Sequence, residues 1–135
     1  MATFKLQIVT PDRVVFDGEA TYLLCRTASG DVGILANHTP YTAPLKVGMM
    51  KVEITSKEDV RYAALNGGIL RVGENSATII TPACEWQDEI DVSRAERSAE
   101  AAKAVLESAA SRREMDEAEV RLKRALNRLN VAGRK

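Results

Sequence analysis

Over the first ninety residues the apolar positions recur with a period of two, in runs no longer than a strand. Phe4, Leu6 and Ile8 alternate with Lys5 and Gln7 up to Val9, and Pro11-Asp12 then turns the chain. Val14-Val15-Phe16 closes at Asp17-Gly18, and Tyr22-Leu23-Leu24-Cys25 closes at Ser29-Gly30-Asp31. From Met49 to Thr55 the alternation returns, with Met50, Val52 and Ile54 on one face. Val60 to Leu65 follows, Asn66-Gly67-Gly68 reads as a tight reversal, and Ile69–Val72 and Ala77–Thr81 are linked by Gly73-Glu74-Asn75. Turn signals at intervals of roughly eight to twelve residues, with no helical period between them, predict an antiparallel β-sandwich or barrel.

Beyond residue 90 the period changes. Val92, Ala95, Ala99, Ala102, Leu106 and Ala109 are spaced as one stripe of a helix, and Met115, Ala118, Leu122, Ala125, Leu129 and Ala132 repeat that spacing out of register with the first set. Continuing the first stripe lands on Arg113 and Asp116, so the pattern predicts two helices, 91–109 and 112–131, folded as an antiparallel hairpin. Asp91 is placed to cap the first helix, Ser111 with Glu114 forms a capping box for the second, and Gly133 follows its end. The fold class expected is therefore α+β: an N-terminal antiparallel β-sandwich over 1–85, then an antiparallel two-helix hairpin over 86–135. The connection Ala109-Ala110-Ser111-Arg112 contains no Gly or Pro. One continuous rod of about 60 Å is thus as open as a hairpin of about 30 Å. The alanine-rich seam is compatible with a two-state element and equally with a static hairpin that simply packs closely.

Composition divides the chain at the same place. The 135 residues carry 19 basic and 19 acidic side chains, but residues 1–90 hold 8 basic and 11 acidic and residues 91–135 hold 11 basic and 8 acidic. All four prolines and every glycine except Gly133 precede the helical part. A net charge of zero argues against a nucleic-acid partner. No apolar run approaches the ~20 residues that span a membrane, and the N-terminus has no signal or transit pattern. Cys25 and Cys84 sit in apolar runs, which favours buried thiols over a disulfide. Two cysteines and one histidine offer no metal-finger spacing, so no metal site is expected.

Candidate chemistry is concentrated in the helices. Asp91 and Arg94 are one turn apart at the start of the first helix, and Arg124 and Arg128 are one turn apart on the second. An antiparallel hairpin brings these ends together, and three guanidiniums beside a helix N-terminus suit a phosphate group. Asp91 then orients Arg94 or bonds a base or ribose. The competing reading makes Asp91 only a cap, with the arginines solvated or paired to Glu96, Asp116 or Glu119. His38 has no nucleophile motif around it and reads as a structural or interface histidine. Gly67 and Gly68 are not followed by the Lys-Ser/Thr of a phosphate loop. Trp86, at the junction, is expected to pack the hairpin against the sandwich. No acid/base pair or nucleophile set supports an enzyme, and no catalytic residue is assigned.

The chain resembles the epsilon subunits of bacterial F-type ATP synthases over its whole length. The resemblance is carried by Val9-Thr10-Pro11-Asp12, by Ser29-Gly30-Asp31-Val32-Gly33-Ile34-Leu35 and by His38-Thr39-Pro40. Gly67-Gly68-Ile69-Leu70-Arg71-Val72 and Leu122-Lys123-Arg124-Ala125-Leu126-Asn127-Arg128-Leu129 complete it. Ala36-Asn37 stands where the family usually has Pro-Gly, and Asn tolerates the left-handed backbone that such a turn needs. The family's ATP-binding motif, Ile-Asp-x-x-Arg-Ala, is matched by Ile90, Asp91, Arg94 and Ala95. Its upstream acidic residue matches Glu85, and its second-helix arginines match Arg124 and Arg128. A further arginine of some members falls at Ala101.

The resemblance implies a non-catalytic rotor component of the proton-translocating enzyme, peripheral on the cytoplasmic face of the bacterial plasma membrane and attached to it only through the complex. It implies that the sandwich binds the gamma subunit and the ring of c subunits, with the loop of Asp31 and His38 towards the ring. The helices either fold up or extend along gamma. In the extended state Arg112, Arg113, Arg121 and Lys123 meet acidic segments of the alpha and beta subunits and block ATP hydrolysis. ATP, with or without Mg²⁺, is implied as a regulatory ligand of the folded form rather than a catalytic cofactor. The alternative is a purely structural rotor adaptor with a static hairpin.

Overall fold

The computed structural model describes residues 2–54, 59–108 and 111–134. The chain divides into two compact units, Met1–Trp86 and Gln87–Lys135. Thr55 and Ala109, the last members of two predicted runs, lie outside the described residues, as does Ala110 of the helix connection.

The first unit is one eight-stranded sheet: β1 (Phe4–Val9), β2 (Val14–Ala20), β3 (Tyr22–Thr27), β4 (Gly30–Ile34), β5 (Tyr41–Glu53), β6 (Val60–Gly73), β7 (Ser76–Ile80) and β8 (Cys84–Trp86). The strand order is β2-β1-β7-β6-β5-β3-β4, with β8 also paired to β6. Phe4, Leu6 and Ile8 of β1, Leu23 and Cys25 of β3, Met50 and Val52 of β5, Leu70 and Val72 of β6 and Ile79 of β7 all bury into a single core. The sheet therefore faces itself as a sandwich, with alternate positions of each strand turned inward. In one respect the pairing differs from the expected antiparallel scheme: β1 runs parallel to β7, from Lys5 opposite Ser76 to Val9 opposite Ile80.

The other differences share a cause. Asn66-Gly67-Gly68 is not a reversal between two strands but a bend within the continuous strand β6. On one side of the bend Ala63–Leu65 pair with β8, and on the other Ile69–Gly73 pair with β7. Strand β5 follows β6 through the bend, with Leu45 opposite Gly68 and Val47 opposite Asn66. It begins at Tyr41 rather than Met49 and contains Pro44, which pairs only on the β6 side because β3 reaches no further than Leu45. Gly67 and Gly68 adopt φ of +89° and +118°. A Cβ on Gly68 would meet the Ile80 carbonyl oxygen and stand 2.8 Å from Thr81 Cα. Glycine is obligatory there because the backbone of residues 80–81 crosses against it.

Cys25 and Cys84 are both buried and free, as the sequence suggested. Burial pushes the Cys25 thiol up from its ordinary 9.0 to about 12, with electrostatic opposition to its ionisation from neighbouring Cys84 and Asp31 adding to the effect. Trp86 packs edge-on to Phe16 within this unit, their ring centroids 6.3 Å apart.

The second unit contains a 3-10 turn at Gln87–Glu89 and two helices, α1 (Val92–Ser108) and α2 (Arg112–Ala132). Ala95, Ala99 and Ala102 of α1 and Ala118, Ala125 and Val131 of α2 are buried. Val92 and Met115, the first members of the predicted stripes, are 42% and 38% exposed. Ser111 Oγ accepts the Glu114 N–H at 3.2 Å, so the cap of α2 forms as the sequence predicts. Gly133 ends α2 with φ −81°, an ordinary right-handed conformation, and its N–H returns to the Leu129 carbonyl. No helix among the described residues is long and apolar enough to cross a membrane.

Two outcomes are expected. Gly68→Ala loses at least about 3 kcal/mol in urea unfolding, since strain and overlap act together. Gly30→Ala shares the φ of +118° but meets open space and loses only about 1–2 kcal/mol. Equal losses would remove the crowding argument. The unfolded Cys25 thiol ionises near 9 while the native one keeps its proton. Its contribution to stability is therefore complete below pH 9 and is lost between pH 9 and about 12. Cys25→Ala flattens the fall in urea midpoint over that interval.

Candidate functional site

The motif Ile90-Asp91-Val92-Ser93-Arg94-Ala95 folds as the entry to α1. Asp91 is the N-cap: its carboxylate accepts the Arg94 N–H at 3.0 Å and its carbonyl accepts the Ala95 N–H at 3.0 Å. An ionised cap at this end also meets the positive pole of the helix. Ile90 and Ala95 are buried on either side of it, while the Asp91 and Arg94 side chains are exposed. The alternation of buried Ala95, Ala99 and Ala102 turns Arg94 away from the seam.

The far end of α2 lies beside this entry. The Gln87 carboxamide donates to the Val131 carbonyl at 3.1 Å and to the Arg134 carbonyl, fastening the last turn of α2 to the segment that leads into α1. The helices are thus antiparallel. Arg94 lies as far before the end of α1 at Ser108 as Leu126 lies after the start of α2 at Arg112, so by helical rise it is level with the turn between Arg124 and Arg128. Arg124 is exposed and Arg128 half-buried. Neither Arg94 nor Arg124 has an ion-pair partner among the described residues, and Asp116, one of the candidate partners, is held by Arg112 at 3.4 Å instead. Arg124 borders an open hollow of about 360 Å³ along α2, shared with Asp116, Glu117, Val120 and Arg121. Gln87 carried no motif that would have marked it; only the contact with α2 reveals it.

The remaining candidates lie on β8, along the two helices and around β4. Glu85 is on β8, opposite Ala64, in the first unit. Arg112 and Arg113 pair along α2 with Asp116 and Glu117, the second pair at 3.2 Å, in exposed i,i+4 contacts that are weak in water. Arg121 and Lys123 are exposed on the same helix, and Ala101 is exposed on α1.

Asp31 on β4 pairs with Arg26 on β3 at 3.1 Å. His38 occupies the loop from β4 to β5, its N–H bonded to the Leu35 carbonyl and its Nδ1 2.6 Å from the Thr39 carbonyl oxygen. A carbonyl only accepts, so Nδ1 is the donor in this contact. The ring stands edge-on to Tyr41. Asn37 beside it has φ +63°, a left-handed turn that asparagine tolerates.

Residues 3–87 match the family described as ATP synthase, Delta/Epsilon chain, beta-sandwich domain, and residues 88–133 match ATP synthase, Delta/Epsilon chain, long alpha-helix domain. An ATP synthase epsilon chain of Ruminococcus albus is 48% identical over 136 residues, covering all of both chains. Another from Alkaliphilus metalliredigens is 42% identical over 132 residues, 98% of this chain and 97% of that one. The fold is also that of a chain in the mitochondrial ATP synthase of Euglena gracilis, with a TM-score of 0.79 at 21% identity over 91% of this chain and 77% of that one. A chain in the central stalk and c-ring of the Tetrahymena thermophila enzyme aligns with a TM-score of 0.63 at 16% identity, over 95% of each. Full-length identity to two bacterial epsilon chains, with a family match to each of the two units, leaves one conclusion: the chain belongs to the epsilon-chain family of F-type ATP synthases, as a non-catalytic subunit of the bacterial enzyme.

Proposed function

We propose that this chain is a central-stalk rotor subunit whose sandwich attaches to gamma and the c-ring and whose hairpin is a regulatory element that ATP holds folded. The sandwich offers the loop of Asp31 and His38 to the ring. The hairpin opens along gamma, bringing Arg112, Arg113, Arg121 and Lys123 to acidic segments of the alpha and beta subunits and blocking ATP hydrolysis. On this reading the protein is peripheral on the cytoplasmic face of the plasma membrane, held there by the complex.

The observation that carries the reading is the pairing of an alanine seam with charged groups at its open end. Arg94, level with Arg124 and Arg128, supplies guanidiniums for the phosphates, while Asp91 fixes the turn that carries Arg94. The second carboxylate oxygen of Asp91, not used by the cap, accepts from a base or ribose. A bound Mg²⁺ would offset phosphate charge without a protein ligand set. The chain's own residues bind and orient the nucleotide; nothing in the arrangement activates a water, so the ligand is bound and released unchanged. Because the groups sit on both helices, the nucleotide binds only the folded hairpin and shifts its population by RT ln(1 + [ATP]/Kd).

The isolated chain is expected to bind ATP without hydrolysing it, in calorimetric titration. Arg94→Ala with Arg124→Ala weakens binding by at least about tenfold, while the lone cap loss in Asp91→Ala is partly recovered by Asp91→Asn, which caps equally well. Unaltered titration by the double variant would discard the site. Spin labels at Glu96→Cys and Asn130→Cys measure the state directly. An open rod separates them by about 50 Å and the hairpin by far less, and saturating ATP drives the long distance into the short. In the assembled enzyme, removal of residues 90–135 raises ATPase activity at low ATP; unchanged activity would favour the static adaptor.

A further inference from the structure

The loop between β4 and β5 is six residues, from Leu35 to Pro40, and its backbone is anchored to another segment of the sandwich. Within the loop the His38 N–H donates to the Leu35 carbonyl and the His38 ring bonds the Thr39 carbonyl. The left-handed turn at Asn37 directs that residue's N–H out of the loop, where it is accepted by Asn75 Oδ1 at 3.2 Å. Asn75 belongs to the two-residue tip of the β6–β7 hairpin, between Gly73 and Ser76, and it too is left-handed, with φ +47°. The same amide donates through Nδ2 to the Thr3 carbonyl at 3.0 Å, and its backbone carbonyl accepts the Lys5 N–H at 3.1 Å. One side chain therefore ties together the start of β1, the hairpin tip and the β4–β5 loop, segments 72 and 38 residues away from it in sequence.

The chemistry is specific to an amide. Thr3 presents only an acceptor and Asn37 only a donor, so the bridging group must donate with one atom and accept with the other. A carboxylate satisfies Asn37 but opposes the Thr3 carbonyl with a second acceptor. Asparagine also tolerates the left-handed tip better than other side chains of that shape. The bond to Asn37 sits one residue before His38, whose ring is in turn fixed by the Thr39 carbonyl and Tyr41. We propose that Asn75 is a positioning residue for the His38 loop: it holds the left-handed turn at Asn37 and so sets where the His38 ring and Nε2 point. This rests on the reading above that the loop faces the c-ring, which makes Asn75 a determinant of the surface offered to that ring.

The test uses the full chain and two variants. Asn75→Asp keeps size and turn but removes the donor; Asn75→Gly keeps the left-handed turn and removes both groups. Amide hydrogen exchange followed by NMR is expected to quicken by about tenfold or more at Asn37 and His38 in Asn75→Gly. In Asn75→Asp the Thr3 side is released while Asn37 keeps its acceptor, so the Asn37 amide stays slower than in Asn75→Gly. Amides of the core strands β5 and β6 keep their protection in both. Unchanged exchange at residues 36–39 in Asn75→Gly, or a speed-up spread evenly over the sandwich, would overturn the positioning role. Association of each variant with a purified gamma–c-ring assembly is measured in parallel with His38→Ala. Weakened association in Asn75→Gly and in His38→Ala supports the proposal as a whole. A freed loop with undiminished association would instead overturn the ring-facing reading, leaving the positioning intact.

Discussion

The bend of β6 at Gly67-Gly68 is the constraint on which the sandwich depends. A strand of fourteen residues would carry a flat sheet past its own core. Two consecutive residues with positive φ turn it, and β5 turns with it because the two stay paired from Tyr41–Val72 to Glu53–Val60. Past the bend the strand has new neighbours: β8 lies on one arm, β7 on the other, and β1 enters beside β7 in parallel. The inward positions of both arms then face one another, with Met50, Val52 and Ala63 from one and Leu70 and Val72 from the other in the same cluster. The approach of residues 80–81 to Gly68 closes the corner, and any side chain at that position would push it open.

That constraint also explains what was and was not legible along the chain. Strands that alternate within one environment, such as β1 and β7, and helices with a 3.6-residue stripe were read nearly to their ends, because periodicity is local. Ser111 and Asp91 were read as caps for the same reason: each bonds an N–H three residues on. The glycine pair was misread because such a pair serves a hairpin or a bend equally well. The choice is made by β7 and β8, which a local window does not contain. Strand β5 begins at Tyr41, well before the predicted run at Met49, and tolerates Pro44 because the pairing with β3 reaches no further than Leu45. Strand β4 carries no alternating pattern, since Gly30–Ile34 holds two glycines and an aspartate, and β8, within the apolar run of Cys84, is three residues long and takes its place by pairing with β6.

The candidate sites divide the same way. Residues 90–95 form a contiguous motif whose geometry is set by its own cap, so its shape could be anticipated. The levelling of Arg94 with Arg124 and Arg128 needed only the antiparallel register of two helices. The anchoring of the His38 loop could not be anticipated, because its partner is an asparagine in another turn, and asparagine in a turn ordinarily signals nothing beyond the turn. Gln87 is similar: a carboxamide that meets the Val131 carbonyl in α2 and the Arg134 carbonyl just beyond it has no spacing to betray it.

The two units differ in how their parts depend on one another. In the sandwich no strand is stable alone; each inward face is covered by strands distant in sequence, and the largest buried side chains are Phe, Leu, Ile and Met. In the hairpin the helices carry their own determinants. Each has a side-chain cap, and α2 has ion pairs from Arg112 to Asp116 and from Arg113 to Glu117 that do not involve α1. What joins the helices is chiefly a row of alanines, each methyl worth about 0.8 kcal/mol of burial where a large aliphatic side chain is worth about 1.5–3. Separating them therefore costs a small seam and leaves both helices intact, whereas separating strands destroys them. A ligand at 100 times its Kd contributes about 2.7 kcal/mol to the state it binds. That is too little to reorder a sandwich core, but it is on the scale of an alanine seam. If one unit of this chain answers to a nucleotide while the other holds its place in a rotor, the division of labour follows from which unit packs with leucines and which with alanines.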